Sequence, residues 1–325
     1  MPCSYPFGLP TSEYLGEAIE MPGIWGLAGA TEYDPAICQA YWKMGVPKAD
    51  FDLFTVDMSN IKTSAKTEGG IYLPPVLLKQ NDIDQAKKKG KEVADVPGVG
   101  YKIVFKDDGT LDVYVVRAYE SSPISNVFYF EGDEWKYDQE KHGSLSSLTD
   151  KDTSTPTNLR MPKNGLIFVE DDVWVEGTVR GAATIAASTF SASKNKYARI
   201  TINGNILYTA KDGRDVLGLM AEGDVLVPQY APSTLEIDAM MLSQKAHVYT
   251  RNVSDPEEIL KDSITVYGGI ITYLSWNWNY GTQTNLVTEG YRNTTTEYDE
   301  HLTYSPPPGF PTEDNYEILS WTERR

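Results

Sequence analysis

Cysteine, histidine and long apolar runs are scarce in this chain. Only three histidines occur among 325 residues, His142, His247 and His301. They are isolated from one another, so the usual sequence signatures of zinc sites and zinc hydrolases are absent. No run of about 18 apolar residues is present, which excludes an obvious membrane-spanning helix. Residues 1–30 also lack the charged start and apolar core of a signal peptide.

The two cysteines, Cys3 and Cys38, both lie near the N-terminus. Their shared location predicts one disulfide that ties down the leading segment, in an oxidising compartment. The alternative is a pair of free, buried thiols. The Pro-, Tyr- and Gly-rich opening is what we expect of an exported domain after its leader or anchor has been removed.

Basic residues are in deficit, with 29 Lys and Arg against 46 Asp and Glu and a net charge of -17. This balance argues against a nucleic-acid partner, because no basic stripe is present to displace counterions from phosphate. The sequence predicts no cofactor. Ca²⁺ stays open as an alternative at two Asp-Gly turns, Asp108 to Asp112 and Asp212 to Asp215, although neither has a full set of ligands.

A seven-position pattern is present instead, and residues 165–273 contain it five times. Each copy reads apolar, any, apolar, any, Gly or Ala, any, apolar, which in a strand places three apolar residues and one small residue on one buried face. The copies are Val173-Val175-Gly177-Val179, Ile200-Ile202-Gly204-Ile206, Leu219-Ala221-Gly223-Val225, Leu235-Ile237-Ala239-Met241 and Ile264-Val266-Gly268-Ile270.

The recurring small residue predicts a bend or a close backbone approach that stacked strands share. The intervals between copies are irregular but fall in the range of one solenoid coil with variable loops. We therefore expect a mainly β protein with a β-solenoid (parallel β-helix-like) core. An antiparallel sandwich, whose strands also alternate, is the alternative.

The chain is predicted to hold two principal units. Residues 1–140 form an N-terminal β-rich (α+β) accessory domain, 141–160 a linker or exposed loop, 161–289 the solenoid, and 290–325 an extended cap. The clearest local element is a hairpin over residues 101–116, since Asp108-Gly109 separates two alternating apolar runs. A second strand pair flanks Gly132-Asp133. Residues 51–56 are predicted as a strand, 59–66 as a helix and 71–78 as an edge strand that contains two prolines.

Two groups of residues are candidate ligand-binding sites. Trp276, Trp278 and Tyr280 alternate in one predicted strand, so they would share a face able to stack on a sugar ring, or would cap the solenoid end. Glu236 and Asp238 also share a face, and paired acids are the usual machinery of glycoside cleavage. A solvated outer face is the alternative for this acidic pair.

The stretch from Asn164 to Gly181, which reads NGLIFVEDDVWVEGTVRG, resembles bacterial envelope proteins of candidate-phylum genomes that are described as pilus-assembly or minor-pilin-like. The similarity continues through Asp215 to Ala221, Leu235 to Ala239 and Thr265 to Ile270, and covers about residues 160–321. The resemblance implies an exported, β-rich protein. It supplies no catalytic residues.

The sequence as a whole predicts a non-enzymatic, extracellular structural or adhesive protein of the cell surface, associated with a pilus or filament. Its expected partners are other envelope or pilus subunits, or further copies of itself. The competing hypothesis is a carbohydrate-binding or carbohydrate-cleaving surface protein that uses the acidic strand face and the tryptophans, with a surface glycan as partner.

Overall fold

The computed structural model describes residues 23–25, 43–46, 51–76, 100–116, 121–122, 127–131, 134–138, 144–145, 156–190, 197–228, 231–250, 260–281 and 287–311. The chain divides into two compact units, Met1–Phe51 and Asp52–Arg325. In the first unit, β1 (Gly23–Trp25) pairs antiparallel with β2 (Lys43–Val46). Cys3 and Cys38 lie outside the described residues, so the predicted disulfide stays a prediction.

The described residues of the second unit contain one α-helix and most of the strands. Helix α1 (Leu53–Thr67) comes first. The strands are β3 (Ile71–Leu73), β4 (Gly100–Phe105), β5 (Thr110–Val116), β6 (Ser121–Ser122), β7 (Val127–Glu131), β8 (Glu134–Asp138), β9 (Ser144–Leu145), β10 (Thr157–Arg160), β11 (Leu166–Val169), β12 (Asp172–Val179), β13 (Ala182–Ala187), β14 (Ile200–Tyr208), β15 (Val216–Ala221), β16 (Val225–Val227), β17 (Thr234–Ser243), β18 (Val248–Thr250), β19 (Leu260–Thr272), β20 (Trp276–Asn277), β21 (Asn279–Gly281) and β22 (Val287–Tyr298). A 3₁₀ turn, Glu300–Thr303, follows β22.

The protein is mainly β, as the sequence predicts, and sixteen of these strands join one large, curled, mixed sheet. Its parallel pairings run in three rows. Row A comprises β4, β12, β14, β16, β18 and β20. Row B continues from the ends of β12 and β14 into β17, β19 and β22. Row C comprises β3, β11, β13, β15 and the ends of β17 and β19.

The apolar positions of the seven-position pattern form the main core. Val173, Ile200, Val225 and Val248 are successive partners in row A and are all fully buried. Of the fifteen apolar residues in the five copies, only Ile270 is less than fully buried. The predicted buried face is confirmed. In each row, therefore, apolar residues lie beside apolar residues of the neighbouring strands. The hydrophobic effect fixes this register, because a shift of one residue would expose all of these apolar side chains to solvent.

The small residue of the pattern marks a bend in two long strands, β17 and β19. Ala239 and Gly268 are register partners in β17 and β19, where each strand passes from row B to row C. Gly268 has φ +148°, and a Cβ placed on it would lie 2.0 Å from the carbonyl oxygen of Ala239. The predicted close approach is thus confirmed here. Gly223 differs, because the third copy spans β15, a turn and β16 rather than one strand.

A second, smaller core lies on the outward side of row C. Helix α1 packs Met58, Ile61 and Ala65 there. Residues 305–311, which we call the strap, return along the same side. A Cβ on Gly218 would lie 2.6 Å from Phe310 Cδ2, and one on Gly165 would lie 2.6 Å from Pro308 Cγ. Glycines in these positions leave the room that the strap occupies.

The N-terminal half of the second unit departs from the predicted organisation. The hairpins β4–β5 and β7–β8 form as predicted, and β3 is an edge strand. However, β4 pairs with β12 from Asp172 opposite Gly100 to Gly177 opposite Phe105, so part of the predicted accessory domain lies in the same sheet as residues 161–289. The predicted linker also supplies a strand, because β10 pairs with β5.

Two local predictions are corrected. Residues 53–56 are helical and not a strand, since Phe54 packs on the same core and continues the buried helical face of Met58, Ile61 and Ala65. Residues 290–298 are not an extended cap, because they continue β22 in parallel with β19. Among the described residues no helix is long and apolar enough to cross a membrane.

Candidate functional site

Glu236 and Asp238 share one face of β17, as predicted, and both contact one lysine. Lys211 Nζ lies 2.9 Å from Glu236 Oε1 and 2.8 Å from Asp238 Oδ1. The Asp238 side chain is buried, and its Oδ2 accepts a hydrogen bond from the Tyr208 backbone N–H at 2.8 Å. The acidic pair is therefore neither an open solvated face nor a free pair of acids. Its negative charge is partly neutralised by Lys211, which lies in the turn after β14.

A third carboxylate, Asp299, lies at the other end of the same cluster. Asp299 Oδ1 accepts hydrogen bonds from the Tyr267 hydroxyl at 2.9 Å and from the His301 backbone N–H at 3.0 Å. His301 Nδ1 lies 2.8 Å from the same oxygen. Lys211 Nζ stands 4.7 Å from the centre of the Tyr267 ring, which connects the two halves. The cluster thus binds the start of the C-terminal segment to β19.

The electrostatics of this cluster favour a structural role over acid–base chemistry. Burial raises the pKa of Asp238, and the Lys211 ammonium opposes that rise. Partial burial lowers the pKa of Lys211, but its contacts with Asp238 and Glu236 outweigh this and leave the pKa above its usual value. Burial also raises the pKa of Tyr267, with the Asp299 hydrogen bond as a further cause. Lysine and tyrosine here are held in their protonated forms, so neither is a ready base at neutral pH.

Trp276, Trp278 and Tyr280 do not form a common exposed strip. Trp276 lies in β20 and is 49% exposed, whereas Trp278 is 4% exposed and belongs to the main core. Tyr280 lies in β21, where its hydroxyl donates to the Thr250 carbonyl oxygen at 3.0 Å and burial raises its pKa to about 12. The chain leaves row A at Trp278, between the short strands β20 and β21. The prediction required Trp276, Trp278 and Tyr280 to alternate along one strand, and the break between the strands interrupts that alternation.

These aromatic residues instead close the end of the core. Trp276 is the register partner of Val248, so it occupies the last position of an otherwise buried row. Tyr291 in β22 is fully buried, and its hydroxyl donates to the Pro232 carbonyl oxygen at 2.9 Å. Glu236 and Asp238 contact Lys211 rather than any of these aromatics. The five predicted ligand-binding residues therefore divide between two separate places.

Polar side chains also connect successive strands at the turn that leads into row A. Asp172 Oδ1 accepts from the Arg199 backbone N–H at 2.9 Å, and Asp224 Oδ1 accepts from the His247 N–H at 3.1 Å. His247 Nδ1 lies 3.0 Å from Ser275 Oγ. Each side chain thus bonds the next turn in the stack. Burial lowers the pKa of His247, which favours the neutral imidazole.

The aspartates of the two Asp-Gly turns have protein partners of their own. Asp112 pairs with Lys106 at 2.6 Å and accepts from Asn158 Nδ2 at 2.8 Å. Asp215 accepts the backbone N–H groups of Gly181 at 2.7 Å and Ala210 at 2.9 Å. Within the described part of the chain, no three or more His, Cys, Asp or Glu side chains are grouped so that they could hold a metal ion.

Sequence reasoning missed Lys211, Tyr267 and Asp299. Asp299 carried a usable signal, because an Asp two residues before His301 at the start of a helical turn is a common N-cap arrangement, and here it caps the 3₁₀ turn. Lys211 follows β14 in an ordinary polar turn, and its partners lie in β17, 25 or more residues further along the chain. The whole chain matches no protein-family model, no curated protein and no solved structure.

Proposed function

We propose that this is a non-enzymatic structural or adhesive protein of the cell envelope, built on a β-solenoid and displayed outside the cell. The observation that carries the proposal is the use of its polar groups. The buried carboxylates Asp172, Asp224 and Asp238 each bond a backbone N–H of a neighbouring turn or strand. Such bonds rigidify a stack, and they occupy the groups that an enzyme would present to a substrate.

The solenoid itself is part of this proposal. Rows A, B and C are its three faces, and the chain visits them in the order A, B, C through β14 and β15, then β16 and β17, then β18 and β19. One circuit advances the chain by about 25 residues, which is in the range of known repeat architectures. Parallel in-register pairing within every row is what stacked coils require.

An extended stack suits a role in display and assembly. Each coil contacts its neighbours, so length adds rigidity, and loops between strands extend from the corners. The net charge of -17 keeps such a surface soluble and is common among exported proteins. The resemblance of residues 160–321 to envelope and minor-pilin-like proteins supports the proposed location and the proposed partners, which are other envelope or pilus subunits.

Immunogold labelling of intact cells of the source organism tests the location. We expect gold at the cell surface or along surface filaments without permeabilisation. Label that appears only after permeabilisation would overturn the envelope assignment. Small-angle scattering of the purified protein tests the solenoid, because a stack of coils gives an elongated particle, whereas a closed sandwich of equal mass gives a compact one.

A further inference from the structure

Strand β22 lies at an edge of the large sheet as far as the described strands extend. It pairs in parallel with β19 up to Tyr298, which lies opposite Gly268. On its other side, β21 pairs only as far as Gly290, and the Tyr291 N–H donates to the Trp278 carbonyl oxygen at 3.0 Å. Among the strands that the structure describes, none pairs with that side of residues 292–298. We call this seven-residue run the open edge.

The backbone groups that face outward along the open edge can be assigned. The Asp299 N–H donates to the Gly268 carbonyl oxygen of β19 at 3.1 Å. The N–H and C=O groups of successive residues point to opposite sides of a strand. Every second residue before Asp299, namely Asn293, Thr295 and Glu297, therefore also directs its groups to β19. Thr294, Thr296 and Tyr298 direct theirs outward. The Tyr291 N–H already points away from β19, so the alternation breaks between Tyr291 and Asn293.

The side chains of the open edge are accessible. All are exposed except Thr296, which is intermediate, and Tyr298 is 49% exposed. Thr294 is exposed although its partner Ile264 is fully buried, so the row of core positions ends at this strand. An exposed edge strand of this length can pair with a strand from another molecule.

We propose that the open edge is a homodimer interface, in which β22 pairs antiparallel with β22 of a second copy across a two-fold axis at Thr295. In an antiparallel pair, outward-bonding residues must lie opposite outward-bonding residues. The axis can then pass through residue 294, 295 or 296. Only an axis at Thr295 pairs the whole open edge, residues 292–298, with itself.

The same register is complementary in its side chains. It sets Arg292 opposite Tyr298, Asn293 opposite Glu297, Thr294 opposite Thr296, and Thr295 opposite itself. Arginine on an aromatic ring, an amide beside a carboxylate and paired threonines are each favourable across strands. No like charges lie opposite one another. A two-fold interface is self-complementary by necessity, and this sequence meets that condition.

The proposed dimer goes beyond the function proposed above, because it concerns how two copies meet and holds wherever the protein resides. Immunogold label confined to the cell interior would overturn the envelope assignment and leave the dimer untouched. A strictly monomeric protein would overturn the dimer and leave the location untouched.

Sedimentation equilibrium of the full chain and of two charged variants tests the proposal. Thr295→Glu and Thr295→Lys each place like charges face to face at the axis, and Thr295 is exposed, so the fold is kept. We expect each variant alone to dimerise at least about tenfold more weakly than the wild type. An equal mixture of the two variants should restore association, because Glu then lies opposite Lys.

Thr265→Lys is the matched control. Thr265 is the register partner of Thr295 on β19, so it shares the same face of the sheet but lies one strand away from the open edge. Its dimerisation should equal that of the wild type. A wild-type protein that stays monomeric at high concentration and high salt would overturn the proposal. Undiminished association of the single variants, or a mixture that does not recover, would overturn it as well.

Discussion

The Lys261 ammonium is bound by backbone carbonyls, with Nζ 2.6 Å from the Ala231 oxygen and 3.2 Å from the Pro228 oxygen. The Tyr291 ring centre lies 5.3 Å from the same nitrogen. Lys261 is 7% exposed, and burial lowers its pKa to about 8. Both acceptors are neutral, so the charge is only partly compensated, and the group is sensitive to pH.

Lys261→Met is expected to remove a pH dependence of stability. The folded pKa lies below the unfolded value, so between about pH 8 and pH 10.5 the unfolded chain binds more protons and wild-type stability rises with pH. The rise should reach about 3 kcal/mol, and the variant should lack it. Urea unfolding at several pH values measures the difference. Parallel curves for the two proteins would contradict the pKa assignment.

Lys211→Met should destabilise the fold at neutral pH by leaving the buried Asp238 carboxylate uncompensated. Because Lys211 is itself 39% exposed, we expect a loss of about 2 kcal/mol, below the range for a fully buried pair. Burial raises the pKa of Asp238, so the loss should shrink as the pH falls toward 4 and the carboxyl group takes up a proton.

The Lys211→Met, Asp238→Asn double variant is the control for this ion pair. It removes the charge on both sides, so its loss of stability should be smaller than the sum of the two single losses. Chemical unfolding of all four proteins completes the cycle. Additive losses would mean that the two charges do not interact.

Gly268→Ala should be among the most damaging small substitutions. It combines a positive φ with a Cβ 2.0 Å from the Ala239 carbonyl oxygen, and we expect a loss of about 3 kcal/mol or more. Gly181→Ala separates the two causes, because Gly181 has φ +96° but no atom within 4 Å of the added Cβ. That variant should lose only about 1 kcal/mol. Equal losses would show that backbone strain alone matters.

Phe310→Ala tests whether the strap contributes to stability. Phe310 is 7% exposed in the second core, so its truncation should cost about 3 kcal/mol. Tyr304→Ala, in which the lost ring was 90% exposed, should change stability by less than about 0.5 kcal/mol. Thermal unfolding of both variants decides the point. A stable Phe310→Ala protein would show that the strap adds little to the fold.

The sequence predicted those features that repeat along the chain. Alternation in the seven-position copies identified the buried residues, from Val173 to Met241, because burial of one strand face imposes a period of two wherever it occurs. The small residue identified the bend at Gly268. The Asp108-Gly109 turn identified the β4–β5 hairpin, since turn chemistry is local.

Features that depend on distant pairing could not be predicted in this way. No local signal shows that β4 lies beside β12, so the boundary at residue 140 was placed within one sheet. The partner of Asp238 is Lys211, which lies in the turn after β14 and far from Asp238 in sequence. For Trp276 and Trp278, a break between two short strands reversed the alternation that a single strand would have had.

Helix α1 and the strap come from opposite ends of the second unit's described chain, yet they meet on row C, where a Cβ on Gly309 would lie 3.2 Å from Ile61 Cγ1. A pulling force applied at those two ends would therefore enter the molecule at neighbouring points. It would load the contact between helix, strap and sheet in shear before any pair of stacked strands was separated. We expect this contact, rather than the pairing between strands, to yield first under such a force.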